Sequence, residues 1–200
     1  MPRQVDYDSR RRRIVAAAFT LVSEQGLEGM TMRDVATRAG VSVGAVQRCF
    51  SSKEEMMAAV VEDMNERVST RVRDRIADSA DPDSAATMLK HTLAGIMPHD
   101  EPTLAETRAW LAFAAHSAVT PALAVVQRKH YEGLAELIAL LLRTAQASGD
   151  VRSDADADGE ADALIALADG LSMQILTGRL TTDSALATLD RQLTALRAAQ

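Results

Sequence analysis

Cysteine is almost missing from this chain. Cys49 is the single one among 200 residues, so no disulfide can close within the chain and no cysteine cluster can hold zinc. Aromatic residues make up 3%, with 10 Gly and 5 Pro, and so few aromatics and breakers weigh against a β-rich fold. No apolar run approaches the roughly 18 residues that a membrane helix requires. Arg10, Arg11, Arg12 and Arg13 also interrupt the stretch where a signal peptide would carry its apolar core, which sets the expected location in the cytoplasm, with no membrane partner. In their place are 36 alanines and 9 methionines, within a composition that is 47% hydrophobic and 25% charged. Such a chain buries a real core, and its alanine content points to an all-α protein.

The net charge of −6 is unevenly spread. Residues 1–53 hold nine Lys/Arg against five Asp/Glu, a net +4, and residues 54–200 hold thirteen against twenty-three, a net −10. A basic head on an acidic body places a polyanion at the head alone.

Three short helices are expected in the head. The first runs from about Asp8 to Gln25, with Ile14, Ala18, Leu21 and Val22 on one apolar face and Gly26 as its C-cap. Its four arginines then fall in the first turn, where the helix macrodipole favours acids, and bound phosphate would offset that cost. Thr31-Met32-Arg33-Asp34 forms a capping box for a second helix, which buries Val35, Ala36 and Ala39 and ends at Gly40. Ser42 caps a third, Val43 to Cys49, and Ser52-Lys53-Glu54-Glu55 is the capping box of a long fourth. Two helices joined by a tight glycine turn make a helix-turn-helix, whose second helix enters the major groove.

These residues carry a resemblance. Residues 13–18, Gly26-Leu27-Glu28-Gly29-Met30-Thr31-Met32-Arg33-Asp34-Val35-Ala36, Ala39-Gly40-Val41-Ser42-Val43-Gly44-Ala45-Val46 and Phe50-Ser51-Ser52-Lys53-Glu54-Glu55-Met56 resemble the DNA-binding domain of TetR-family transcriptional regulators, nearly gap-free over about residues 10–60. Further on, Glu106-Thr107-Arg108-Ala109-Trp110-Leu111-Ala112-Phe113 and Asp169-Gly170-Leu171 resemble the ligand domain of choline-responsive betaine regulators. The family's recognition helix commonly ends in tyrosine and histidine, where this chain has Gln47, Arg48 and Cys49. Gln and Arg can read adenine and guanine edges bidentately, which shifts the helix from holding phosphate toward reading bases. Arg48 is the first candidate for guanine and Gln47 the second base reader. Gly44 either admits close approach to the duplex or serves packing. Thr31 and Ser42 can offer backbone N–H groups to phosphate, though capping alone would justify them. Lys53 is similar to a family lysine that touches phosphate, and Arg12 and Val43 complete the expected DNA-binding set. Arg33 and Arg38 read equally as phosphate contacts or solvated charges.

The acidic body, residues 54–200, is expected to hold six helices, for about nine in all, and to serve effector binding and dimerisation. Leu164, Ala168, Leu171 and Ile175 follow 4-3-4 spacing, and Leu186, Leu189, Leu193 and Leu196 follow 3-4-3. Both stripes suit helix packing, within one chain or across a two-fold interface. A helix-turn-helix protein reading a palindromic operator needs a dimer, so Leu164, Leu171, Ile175, Leu186, Leu189, Leu193 and Leu196 are the expected interface, with Gly170 and Gly178 permitting close approach. Trp110, Phe113, His116, Tyr131, Met173 and Gln174 are the expected effector pocket. That lining holds no charged residue and favours an apolar or amphipathic organic molecule. A quaternary ammonium compound would gain cation–π contacts, with Glu106 or Glu132 as the available carboxylates.

Other chemistries find no support. Asp154-Ala155-Asp156-Ala157-Asp158-Gly159 opens like an EF-hand loop but has Ile165 at the twelfth position, where a bidentate Glu is required. His91, His99, His116 and His130 lack paired metal spacing, and neither a phosphate-binding glycine loop nor a nucleophile elbow occurs. No catalytic residue, metal or cofactor is expected. The reading is an α-helical dimeric repressor released from double-stranded DNA by a small molecule, with the fourth helix as lever. The alternatives are a DNA-binding regulator without a ligand and a small all-α enzyme.

Overall fold

The computed structural model describes residues 2–27 and 30–198. Among the described residues are the helices α1 (Pro2–Gln25), α2 (Met32–Ala39), α3 (Val43–Cys49), α4 (Lys53–Ala77), α5 (Ala85–Gly95), α6 (Glu101–Ser117), α7 (Pro121–Ser148), α8 (Ala157–Leu176) and α9 (Thr182–Ala195). The extended pairing among them is one antiparallel bridge, Val151 with Arg197. The fold is all-α, as its composition requires.

Two starts differ from expectation. Helix α1 begins at Pro2 rather than near Asp8, so the four arginines lie in mid-helix and the macrodipole argument does not apply to them. Helix α6 begins at Glu101 rather than near Thr103, where a start just after Pro102 is expected, and Pro102 sits inside its first turn. Proline is tolerated there because its missing N–H would have no intrahelical partner. The Asp100 carboxylate accepts from the Thr103 N–H at 2.9 Å and closes that turn.

The chain packs as two compact units. The first comprises residues 1–66 and 105–127, and the second residues 67–104 and 128–200. Helices α4, α6 and α7 contribute residues to both, so packing does not follow the 53/54 division drawn along the chain. In the first unit, Ile14, Ala18, Leu21 and Val22 of α1 join Val35, Ala36, Val46, Phe50, Met56 and Val60 in one buried core. Ala109 and Phe113 of α6 and Leu123 of α7 belong to that same core. In the second unit, α5, α7, α8 and α9 bury Leu89, Leu93, Ile138, Leu142, Leu164, Leu171 and Leu189 together.

Candidate nucleic-acid interface

The helix-turn-helix is built from its caps. Thr31 Oγ1 accepts from the Asp34 N–H at 3.2 Å, and Asp34 accepts in return from the Thr31 N–H at 3.1 Å. The Thr31 hydroxyl also donates to Asp34 Oδ2 at 2.5 Å, and this bond first, then that from the Thr31 N–H, holds the Asp34 carboxyl below its ordinary value. Gly40 ends α2 at φ 64, a left-handed conformation that a side chain would strain, and the Val41 N–H then returns to Ala36 O at 3.0 Å. Ser42 Oγ accepts from the Ala45 N–H at 3.2 Å and opens α3. The fourth cap departs slightly from the expected box. Ser52 Oγ accepts from the Glu55 N–H at 3.1 Å, but Glu55 reaches the Ser51 N–H, one residue earlier, at 2.7 Å.

One face of α3 is spent on the core and the other faces outward. Ala45, Val46 and Cys49 are buried, which removes Cys49 from the surface. Val43, Gln47 and Arg48 are exposed on the opposite face. Arg48 folds back along the helix, its Nη1 3.8 Å from the point where a Cβ on Gly44 would stand. That is an ordinary van der Waals distance, so a small side chain at position 44 would not displace the guanidinium.

The basic residues divide into two groups. Arg13 donates from Nη2 to Ala39 O at 2.7 Å and to Gly40 O at 3.4 Å, so it closes the C-terminal end of α2, where the macrodipole favours a cation. The Arg11 guanidinium lies 5.0 Å from the Phe50 ring centre, a cation–π contact at the end of α3. Lys53 donates to Leu27 O at 2.6 Å, and Arg38 pairs with Glu24. These four cations hold the head together. Arg12 and Arg48 are exposed and have no hydrogen bond or ion pair among the described residues, and Arg33 is exposed beside Asp34.

The expected effector residues fall into both units. Trp110, Phe113 and His116 belong to the first unit, and Tyr131, Met173 and Gln174 to the second. Trp110 and Phe113 stack with ring centres 6.1 Å apart, as their three-residue spacing implies. Phe113 is fully buried in the first unit's core and Trp110 packs against that core. His116 is half-buried and adds a minor electrostatic contribution at Glu54; the Glu54 backbone N–H and the Ser52 hydroxyl chiefly hold that carboxyl low. Met173 is exposed, and Gln174 accepts from Arg179 just beyond the end of α8.

The carboxylate beside Tyr131 is Asp169. Its Oδ2 accepts from the Tyr131 hydroxyl at 2.5 Å. The sequence offers Glu106 or Glu132 for such a role, whereas Tyr131 and Asp169 lie 38 residues apart and meet only in the fold. Burial raises the Asp169 pKa, and the tyrosine hydrogen bond partly opposes it. Burial likewise lowers that of the neighbouring His130. For Asp169 a raised pKa means that the folded state holds the proton more tightly than the unfolded chain. Its stabilising contribution is full below about pH 4, the ordinary carboxylate value, and is lost as pH rises through the raised one. We expect Asp169→Asn to flatten the pH dependence of thermal unfolding in that window and to leave the ligand-free protein more stable than wild type near neutral pH. Parallel melting curves that keep a constant separation across the window would count against this assignment.

The leucine stripes are used within the chain. Leu164, Leu171, Leu189 and Leu196 are buried in the second unit's own core, and Ile175, Leu186 and Leu193 are partly buried against it. The outward face of α8 instead carries Ala163, Ala166, Gly170 and Met173, at 3-4-3 spacing. A Cβ on Gly170 would meet nothing within 4 Å. Among the described residues no group of three or more His, Cys, Asp or Glu could hold a metal ion, and no helix is long and apolar enough to cross a membrane.

A capped helix-turn-helix with an exposed Gln-Arg face, followed by a larger helical region, is the build of a DNA-binding transcriptional regulator. Residues 14–60 match the family model described as bacterial regulatory proteins of the tetR family, and residues 85–198 match that of the BetI-type transcriptional repressor C-terminal domain. The chain is 30% identical over 177 residues to the HTH-type transcriptional regulator PksA of Bacillus subtilis, covering 88% of this chain and 83% of that one. It is 31% identical over 129 residues to the regulator BetI of Klebsiella pneumoniae, covering 64% of this chain and 65% of BetI. A regulator from Saccharomonospora viridis, solved in complex with choline, superposes with a TM-score of 0.84 at 26% identity, over 96% of this chain and all of that one. The chain belongs to the TetR family of transcriptional regulators, with a BetI-type C-terminal domain.

Proposed function

We propose that this regulator is a homodimeric repressor that binds a palindromic operator and is released by a small amphipathic molecule with a cationic head. The observation that carries the DNA reading is the exposed Val43, Gln47 and Arg48 face of α3, on a helix whose opposite side is fixed in the core. Arg48 and Gln47 read base edges, Arg12 and Arg33 meet phosphate, and the Thr31 and Ser42 caps offer backbone N–H groups. Arg11, Arg13, Arg38 and Lys53 act by holding the head in shape.

A second observation supports the cationic effector. Asp169 is a partly buried carboxylate on an aromatic hydroxyl, the pairing that suits an organic ammonium ion. The choline bound to the Saccharomonospora viridis regulator is in keeping with it. Such an effector acts by favouring one head arrangement, and it can shift that equilibrium only by its difference in affinity for the two states. The helix α4 is the lever, being one helix with residues in both compact units. Dimerisation uses the outward face of α8, where small residues permit close approach and Met173 supplies apolar surface.

The test uses the single tryptophan. Titration with choline is expected to change Trp110 fluorescence and to release bound operator over the same concentration range. Release with unchanged fluorescence, both in wild type and in Asp169→Ala, would place sensing elsewhere.

A further inference from the structure

Helix α4 ends against the corner that joins α5 to α6, and a histidine makes the contact there. All the groups involved lie within the second unit. A Cβ on Gly95, the last residue of α5, would stand 2.3 Å from Val72 Cγ2. Valine is stiff at χ1, so a side chain at position 95 would push α4 away. Three residues further along α4, in its last turn, Arg75 Nη2 donates to His99 Nε2. The other ring nitrogen, Nδ1, lies 3.1 Å from Met97 O. A carbonyl oxygen only accepts, so Nδ1 carries a hydrogen; a guanidinium only donates, so Nε2 presents its lone pair. These two partners fix His99 as the neutral Nδ1–H tautomer. The corner itself is held firmly. Met97 is buried in the core of the unit, and the Thr103 hydroxyl accepts from the His99 and Asp100 N–H groups, each at 2.9 Å. From the start of α9, Thr182 Oγ1 donates to Pro98 O at 3.3 Å. The charges placed here are Arg75 and Arg71 on α4 and Asp100 on the corner. Asp100 Oδ2 is 3.8 Å from His99 Nε2, too far for a hydrogen bond. Hydrogen bonds from Thr103 chiefly hold the Asp100 carboxyl below its ordinary value, so it stays charged near neutral pH.

We propose that His99 is a proton-operated latch on α4. Neutral, the ring accepts from Arg75 and holds the last turn of α4 to the corner. Protonated at Nε2 by solvent, it has a hydrogen on both nitrogens and no lone pair for Arg75. Imidazolium and guanidinium then repel, and the new N–H turns to the Asp100 carboxylate. A carboxylate at position 99 would pair with Arg75 more strongly, but histidine is the side chain that lets go near neutrality. The latch rests on the reading of α4 as lever and gives that lever a second input, so that operator binding answers to pH as well as to effector.

The test has two arms, both on the full chain. First, imidazole nitrogen chemical shifts of the isotope-labelled wild type are followed from about pH 8 to about pH 5. His99 is expected to begin as the Nδ1–H tautomer with a bare Nε2 and to end doubly protonated. A ring that begins as Nε2–H, or already charged, overturns the latch whatever α4 does. Second, operator affinity is measured over the same window at constant ionic strength in wild type, His99→Gln and Arg75→Met, with circular dichroism to show that each stays helical. Glutamine keeps a carbonyl acceptor for Arg75 and takes up no proton. Wild type is expected to lose about fivefold or more affinity on acidification beyond any loss in His99→Gln. Arg75→Met should start weaker than wild type at the high-pH end and show no such excess loss. An excess loss that persists in Arg75→Met shows that the response does not run through this contact and overturns the proposal. If the ring titrates as expected but wild type and His99→Gln keep parallel profiles, α4 does not carry the change to the head; the lever reading fails and the proposal falls with it.

Discussion

Combining Ala166→Glu with Met173→Asp is expected to give a folded monomer whose operator affinity is about 10²–10⁴-fold weaker. Both residues are exposed on α8, so charge there costs the isolated chain little. Across a two-fold interface the same charges would face their own copies without water or partners, which strongly opposes association. Leu189→Asp provides the contrast. Leu189 is 2% exposed inside the second unit's core, and an unpaired carboxylate there costs about 3–5 kcal/mol. That variant should unfold the second unit rather than yield a clean monomer. Light scattering together with circular dichroism separates the cases. A double variant that remains dimeric, or that loses its helicity, would show that the outward face of α8 is not the interface.

Three arginines of the head should respond differently to truncation. Arg48→Ala is expected to cost about 1–3 kcal/mol at the operator and to relax preference at one base pair. Arg12→Ala should weaken binding to every sequence alike and reduce the salt slope by about one. Arg13→Ala should weaken operator binding without changing that slope, because its guanidinium is engaged with Ala39 O and Gly40 O rather than with phosphate. Arg13→Lys should recover part of the loss, since an ammonium restores the charge at the end of α2 but not the fork. Binding isotherms at several salt concentrations distinguish all three. Equal loss of discrimination in Arg48→Ala and Arg12→Ala would remove Arg48 from base reading. A reduced slope in Arg13→Ala would make that residue a phosphate contact.

Local signals in the chain were legible where one turn of helix decides the outcome. The capping serines and threonines, the glycine at position 40 and the short spacing of apolar residues placed α3 at Val43–Cys49, with the buried and exposed faces that the structure shows. The start of α1 was not legible, because Asp8 reads as an N-cap while the helix runs through it from Pro2. The larger gap concerns partners far along the chain. A leucine stripe shows that a helix face is buried but does not say against what, and Leu164 and Leu189 prove to meet their own core. Nor could spacing reveal that Arg13 reaches a carbonyl 26 residues away, or that Asp169 meets Tyr131. His99 gave no signal beyond its lack of metal spacing, since its partner Arg75 lies 24 residues away along the chain.

Selection of random-sequence duplexes with the full-length protein tests the central claim most directly. Two heads, each reading one major groove through α3, should enrich an inverted repeat whose half-site centres lie about 34–36 Å apart, or a whole number of helical turns, and Arg48→Ala should lose preference at one symmetric pair of positions within it. Enrichment of a lone half-site, or of no sequence over the starting pool, would contradict a dimer that reads DNA through this face.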